Sequence, residues 1–136
     1  MAKLFTLSKS ERLKSRKQIE QLFKGGKRLP VSPFYIYYLL RPLTTRDSGL
    51  TLKFGVGVSA KNFKRAVDRN RIKRLVRESY RLQKPNFREV VKANNQQLNL
   101  FFIYTGKELP NYKVIYDKVA IALQKISREI EKRSAI

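Results

Sequence analysis

The stretch RAVDRNRIKRLVRESYR, residues 65–81, holds seven Arg and Lys residues in seventeen positions. Cations at that spacing line several turns of one helix, and the chemistry they suit is neutralisation of a phosphate backbone. Other chemistry is poorly supplied. The chain contains no Cys and no His, which removes disulfides, thiolate nucleophiles, zinc fingers and a His general base. The ten acids are Glu11, Glu20, Asp47, Asp68, Glu78, Glu89, Glu108, Asp117, Glu129 and Glu131. No close pair among them looks like a metal-holding motif. The sequence therefore predicts no catalytic and no metal-binding residue in the protein itself.

The rest of the chain repeats the charge bias. Thirty-one basic residues stand against ten acidic ones, a formal net charge of +21. Such an excess destabilises a compact state by self-repulsion and points to a polyanionic partner. Residues 61–81 carry nine basic and two acidic side chains, and residues 1–28 carry the same numbers. RNA or DNA fits this better than a membrane, because the apolar side of 66–82 is narrow and is needed for the core. No run reaches 18 apolar residues, the span a bilayer requires. The N-terminus MAKLFTLSKSERLKSRK lacks the apolar stretch of a secretory signal. The expectation is a cytoplasmic protein with no membrane partner.

A chain of 136 residues, 42% hydrophobic, is long enough for one core. One domain over 1–136 is expected, with 1–10 and 133–136 mobile. A helix is expected over about 11–24, capped by Ser10; Leu13, Ile19, Leu22 and Phe23 are its apolar positions, and the last three follow helical spacing and should face the core. Gly25 and Gly26 should end it through a backbone conformation that side chains penalise. Phe34–Leu40, FYIYYLL, is aromatic and β-branched enough for a strand. Residues 41–49 read as a loop. Leu50–Ser59 is a second strand, with Leu52, Phe54, Val56 and Val58 on one face and Gly55 and Gly57 on the other. The glycines allow a close approach, either by a partner or by an internal crossing.

The basic helix should run over about 66–82 and stop at Pro85 and Asn86. Ile72, Leu75, Val76 and Ser79 form its inner face, opposite Asn70, Lys73, Arg74, Arg77 and Arg81. Residues 86–97 are ambiguous. Leu98–Tyr104 is a strand. About 111–132 is an amphipathic helix, with Tyr112, Ile115, Val119, Ala122, Leu123, Ile126 and Ile130 recurring at three and four. The pattern suggests an α/β sandwich with helices on one side of a small sheet. The strands flanking the basic helix should be neighbours or parallel. Exposed rings on a sheet suit unstacked bases, so Tyr35, Tyr37 or Tyr38 are candidates for single-stranded RNA.

The segment NFKRAVDRNRIKRLVRESY, residues 62–80, resembles the arginine-rich helix of the bacterial ribonuclease P protein component. GVGVSAK before it resembles that family's lead-in strand. RLKSRKQIEQLFKGGKR resembles its opening helix and glycine turn, and FYIYYL its first strand. The resemblance implies a two-layer α/β sandwich, a mixed four-stranded sheet packed with helices in the order α-β-β-β-α-β-α, and a left-handed β-α-β crossover. It implies a subunit of a ribonucleoprotein endonuclease that removes the 5′ leader of precursor tRNA. A catalytic RNA would hold the Mg2+ ions. The partners implied are that RNA and precursor tRNA; nothing indicates a protein partner. Carried onto this chain, Arg69, Asn70, Arg71, Lys73, Arg74 and Arg77 lie near the catalytic RNA, with Lys61 and Arg65 at the helix entrance. Phe23 and Tyr37 match leader-contacting aromatic positions. Ile19 stands where the family often carries Phe, which alters any stacking there.

Three other readings share some of these features. A general RNA-binding structural protein, such as a ribosomal component, fits the charge but not the Arg69–Asn70–Arg71 cluster. A DNA-binding regulator would need a two-helix reader with a short turn, which the sequence lacks. A protein-only nuclease would need a carboxylate centre.

Overall fold

The computed structural model describes residues 12–13, 15–42, 52–94 and 96–134. The elements are α1 (Arg16–Gly25), β1 (Lys27–Val31), β2 (Phe34–Pro42), β3 (Leu52–Val58), α2 (Ala66–Ala93), β4 (Gln96–Tyr104) and α3 (Tyr112–Ser134). The order α-β-β-β-α-β-α is the expected one. The strands form one sheet, ordered β1-β2-β4-β3. β1 and β4 both pair antiparallel with β2, and β3 pairs parallel with β4. The helix α2 thus links two adjacent parallel strands, in line with the expectation that the strands flanking the basic helix are neighbours or parallel.

Alternation divides the sheet into two faces. Phe34, Ile36 and Tyr38 of β2, Leu52, Phe54 and Val56 of β3, and Leu98, Leu100, Phe102 and Tyr104 of β4 are buried. Their face is covered by α2 and α3, through Ile72, Val76, Tyr80, Phe87 and Val91, and through Ile115, Val119, Ala122, Leu123, Ile126 and Ile130. Tyr80 stacks on Phe54 with centroids 4.0 Å apart and planes 4° from parallel. Such a pair adds about 0.5–1.5 kcal/mol to simple burial and locks α2 to β3. Tyr38 is part of this core, so it is not a stacking platform.

Several boundaries differ from the sequence reading, each for a local reason. α1 begins at Arg16, because Ser15 rather than Ser10 caps it; the Ser15 hydroxyl accepts from the Gln18 N–H at 3.4 Å. Ser10 lies outside the described residues. Leu13 is buried, but in an extended lead-in along the edge of β3, where its N–H donates to the Phe54 carbonyl at 2.7 Å. α1 lies against the second face of the sheet, so the helices are not all on one side. Gly26 is extended, with φ −84°. That conformation is open to any residue, contrary to the expectation for the glycine pair; glycine is required at 26 because a Cβ there would meet the Leu22 carbonyl oxygen and the Tyr38 carbonyl oxygen at 2.9 Å or less.

α2 does not stop at Pro85 but continues to Ala93. The ring removes one helical hydrogen bond, while Phe87 and Val91 beyond it, both buried, hold the last two turns on the core. The ambiguous residues 86–97 are therefore helix up to Ala93, then the start of β4. Arg41 and Pro42 extend β2, and 43–49 of the expected loop lie outside the described residues. Tyr112 is 37% exposed, so α3 makes its core contacts from Ile115 onward. Segments 1–10 and 135–136 also lie outside the described residues.

Candidate nucleic-acid interface

The second sheet face carries the aromatic candidates. Pairing places Arg28 and Pro30, Tyr35 and Tyr37, Asn99 and Phe101, and Gly55 and Gly57 on it. Phe23 of α1 leans over this face. Its ring lies 4.8 Å from Tyr37 and 5.7 Å from Phe101, centroid to centroid. Phe23 remains 43% exposed, so it is not the core residue that helical spacing suggested. Tyr35 stands apart from this trio, exposed beneath the Arg28 guanidinium at 4.8 Å. The ring and cation together form a second, smaller platform. Near the trio, Asn99 is buried, and its Oδ1 has no hydrogen-bond partner in the structure.

Phe101 escaped the sequence reading as a site residue. Its signal was the glycine pair: Gly55 is directly opposite it across the β3–β4 ladder. A Cβ at Gly55 would stand 2.7 Å from the Phe101 ring and 2.9 Å from the Leu13 carbonyl oxygen. The close approach is thus internal. Removing two side chains lets Phe101 lie flat on β3 and present its ring beside Phe23.

The basic residues fall into separate groups. Asn70, Arg74 and Arg77 recur at four and three on α2 and share a groove with Arg81, Glu78 and the lead-in residue Arg12. Glu78 accepts from Arg81 at 2.5 Å, and this bond, chiefly, holds its pKa below the usual carboxylate range. Burial, then the neighbouring Arg12, pushes the Arg77 pKa down. Arg12 and Arg77 also line an adjoining hollow with Ile19, Gly55 and Phe101. Cations and rings are therefore continuous: the arginine groove opens beside the aromatic face. Arg71 and Lys73 lie on α2 outside this groove, Arg71 exposed and Lys73 half-buried.

Lys61 and Arg65 sit in the turn before α2, both exposed. Arg69 is turned back toward that turn, and its Nη1 donates to the carbonyls of Phe63 and Lys64 at 2.8 and 2.9 Å. No group of three or more carboxylates lies together among the described residues. None of the described helices is long and apolar enough to cross a membrane.

The Ribonuclease P family model matches residues 7–127. The ribonuclease P protein component of Porphyromonas gingivalis is 35% identical over 126 residues, covering 93% of this chain and 90% of that one. That of Dictyoglomus thermophilum is 34% identical over 89 residues, covering 65% and 68%. Among solved structures, the Staphylococcus aureus RNase P protein superposes with a TM-score of 0.61 at 22% identity, covering 88% of this chain and 96% of that one. The Thermotoga maritima RNase P protein gives 0.61 at 24% identity, covering 85% and 96%. The structures support the α/β arrangement, while the family match and the P. gingivalis relative span nearly the whole sequence: the chain belongs to the ribonuclease P protein family.

Proposed function

We propose that this chain is the protein subunit of a cytoplasmic ribonuclease P ribonucleoprotein that removes the 5′ leader from precursor tRNA. The observation that carries the proposal is the continuity of the arginine groove with the Phe23–Tyr37–Phe101 face. The groove residues Asn70, Arg74 and Arg77, with Arg71 and Lys73 beside them, take the phosphates of the catalytic RNA. Each neutralised phosphate releases condensed counterions, so affinity falls steeply with salt. The aromatic face takes the single-stranded leader. Bases stack on rings without much regard to sequence, at about 1–3 kcal/mol per base. A leader lying there passes from rings to cations without leaving the protein surface.

The reaction centre belongs to the RNA. Mg2+ held by that RNA would supply Lewis-acid chemistry there, for the attacking water and the leaving oxygen. In this reading the protein's part is positional. It holds two RNA segments in register and screens the repulsion between their phosphates. Low magnesium should make that screening most visible.

The test is 5′ cleavage of precursor tRNA by the host's catalytic RNA at low magnesium, with and without the protein. Protein-dependent cleavage, and none from the protein alone, is the expected result. Absence of stimulation across salt and magnesium, with RNA binding retained, would instead indicate a general RNA-binding protein. Cleavage by the protein alone would overturn the assignment of chemistry to the RNA.

A further inference from the structure

Arg69 is the one strongly basic position of the helix start whose guanidinium is already engaged within the protein. Its Nη1 donates to the Phe63 carbonyl at 2.8 Å and to the Lys64 carbonyl at 2.9 Å. Both carbonyls belong to the turn that leads into α2. The same turn is closed at its other end by Phe63 N–H donating to the Ser59 carbonyl at 3.1 Å, and by Lys61 N–H donating to the Ser59 hydroxyl at 3.2 Å. Phe63 is buried, with its ring 6.0 Å from that of Tyr104. Between these anchors the turn carries Lys61, Lys64 and Arg65, three exposed cations in five residues. Arg65, the N-cap residue of α2, makes no side-chain capping bond. A turn that concentrates like charge and lacks a side-chain cap needs another fastening, and hydrogen bonds from a charged donor are the strong kind.

We propose that Arg69 is a positioning residue: its guanidinium clamps the 59–65 turn so that Lys61, Lys64 and Arg65 face RNA phosphates together. This rests on the RNA-binding reading above and sharpens it. Arg69 acts through three neighbours, whereas Arg74 and Arg77 act directly. Lysine is a poor replacement at such a site. Its ammonium is a point charge on a shorter reach, so it keeps the charge but not the grip on two carbonyls.

The experiment measures affinity for a transcribed ribonuclease P RNA across a salt series. The proteins are the parent, Arg69→Gln, Arg69→Lys, a triple variant (Lys61→Gln, Lys64→Gln, Arg65→Gln), and the triple variant with Arg69→Gln added. Expected is a loss of about tenfold for Arg69→Gln in the parent, with a salt slope reduced by more than the roughly 0.9 of one phosphate contact. Arg69→Lys should lose nearly as much. In the triple variant the same change should cost less than about twofold, because contacts already removed cannot be lost again. Hydrogen exchange on the RNA-free protein should show faster exchange at Lys61 and Phe63 in Arg69→Gln. Should Arg69→Gln fail to fold, Arg69→Lys carries both measurements.

Additive losses, a slope change of one contact and rescue by lysine would overturn the proposal and make Arg69 a direct phosphate ligand. Unchanged exchange in the turn would overturn it as well. A parent protein with no salt-dependent RNA affinity would overturn the RNA-binding reading itself, and the exchange data would still report whether the clamp exists.

Discussion

Replacing Gly55 by Ala tests whether the fold builds the aromatic face by subtraction. The added methyl carbon would stand 2.7 and 2.8 Å from two ring carbons of Phe101 and 2.9 Å from the Leu13 carbonyl oxygen. Carbon atoms rest at about 3.5–4.0 Å, so the ring must retreat by roughly 1 Å. It has little room, because Phe23 lies over it at 5.7 Å and Phe23 in turn touches Tyr37 at 4.8 Å. The lead-in strand is pinned as well, by the Leu13 bond to Phe54. Overpacking of this kind costs about 1–3 kcal/mol, which in a chain of this length lowers Tm by roughly 4–12 °C. Gly57→Ala is the control, since its methyl would stand at 3.1 and 3.3 Å from the same ring and should cost under about 1 kcal/mol. The functional readout is the ratio of affinities for precursor tRNA with and without a leader, measured on the assembled complex. Displacing Phe101 should lower that ratio. Adding Phe101→Leu should recover part of the lost Tm by removing the clash. A Gly55→Ala protein with the parent's Tm and leader ratio would refute the reasoning.

Tyr37→Leu should lower the same leader ratio by roughly 5- to 150-fold, the equivalent of one lost stacking contact, with Tm changed little. Equal ratios in variant and parent would remove Tyr37 from the leader path. Pro85→Ala should raise stability by about 1–2 kcal/mol in thermal unfolding, since it restores an N–H to the interior of α2; a lower Tm would mean that the ring itself is needed there. Burial, then Glu108, raises the pKa of the Tyr104 hydroxyl. The folded state thus favours the neutral phenol, and its contribution is intact below the ordinary tyrosine pKa near pH 10 and lost as pH rises through the elevated folded value. Tyr104→Phe should flatten that alkaline loss, and at neutral pH cost about 1 kcal/mol for the bond to the Glu108 carbonyl. Denaturant unfolding between pH 7 and 11 measures both.

Strands whose alternation is clean were legible in the sequence. Leu52, Phe54 and Val56 against Gly55 and Gly57 needed only period two to assign faces. β1 was not, because KRLPV buries only its last residue and contains Pro30. It survives as an edge strand, where a missing N–H is tolerated. The stop at Pro85 misread a propensity as a boundary: a local cost of one hydrogen bond lost to the burial of Phe87 and Val91. The basic stripe of α2 was legible as charge, but charge alone does not say where a guanidinium points. Arg69 looks like its neighbours in sequence and is turned inward by two carbonyls six and five residues before it. Arg12, which closes the arginine groove, was invisible because its position depends on the chain lying along β3.

The arginine groove raises a question of balance. Arg12, Arg74, Arg77 and Arg81 crowd one hollow with Glu78 as the one acid among its described lining residues; burial, then the neighbouring Arg12, lowers the Arg77 pKa. Repulsion between exposed like charges is small, about 1 kcal/mol at 4 Å in water and weaker beyond the roughly 8 Å screening length of physiological salt. The inner stripe of α2 works on a larger scale. Ile72, Val76, Tyr80, Phe87 and Val91 are nearly or fully buried, and apolar side chains so buried each contribute about 1.5–3 kcal/mol. Five such residues outweigh several screened repulsions, so the helix tolerates a cationic outer face that Glu78 only partly offsets. The groove of the free protein is therefore under-neutralised. In the proposed complex, relief of that repulsion by RNA phosphates would add to binding instead of to the stability of the free protein.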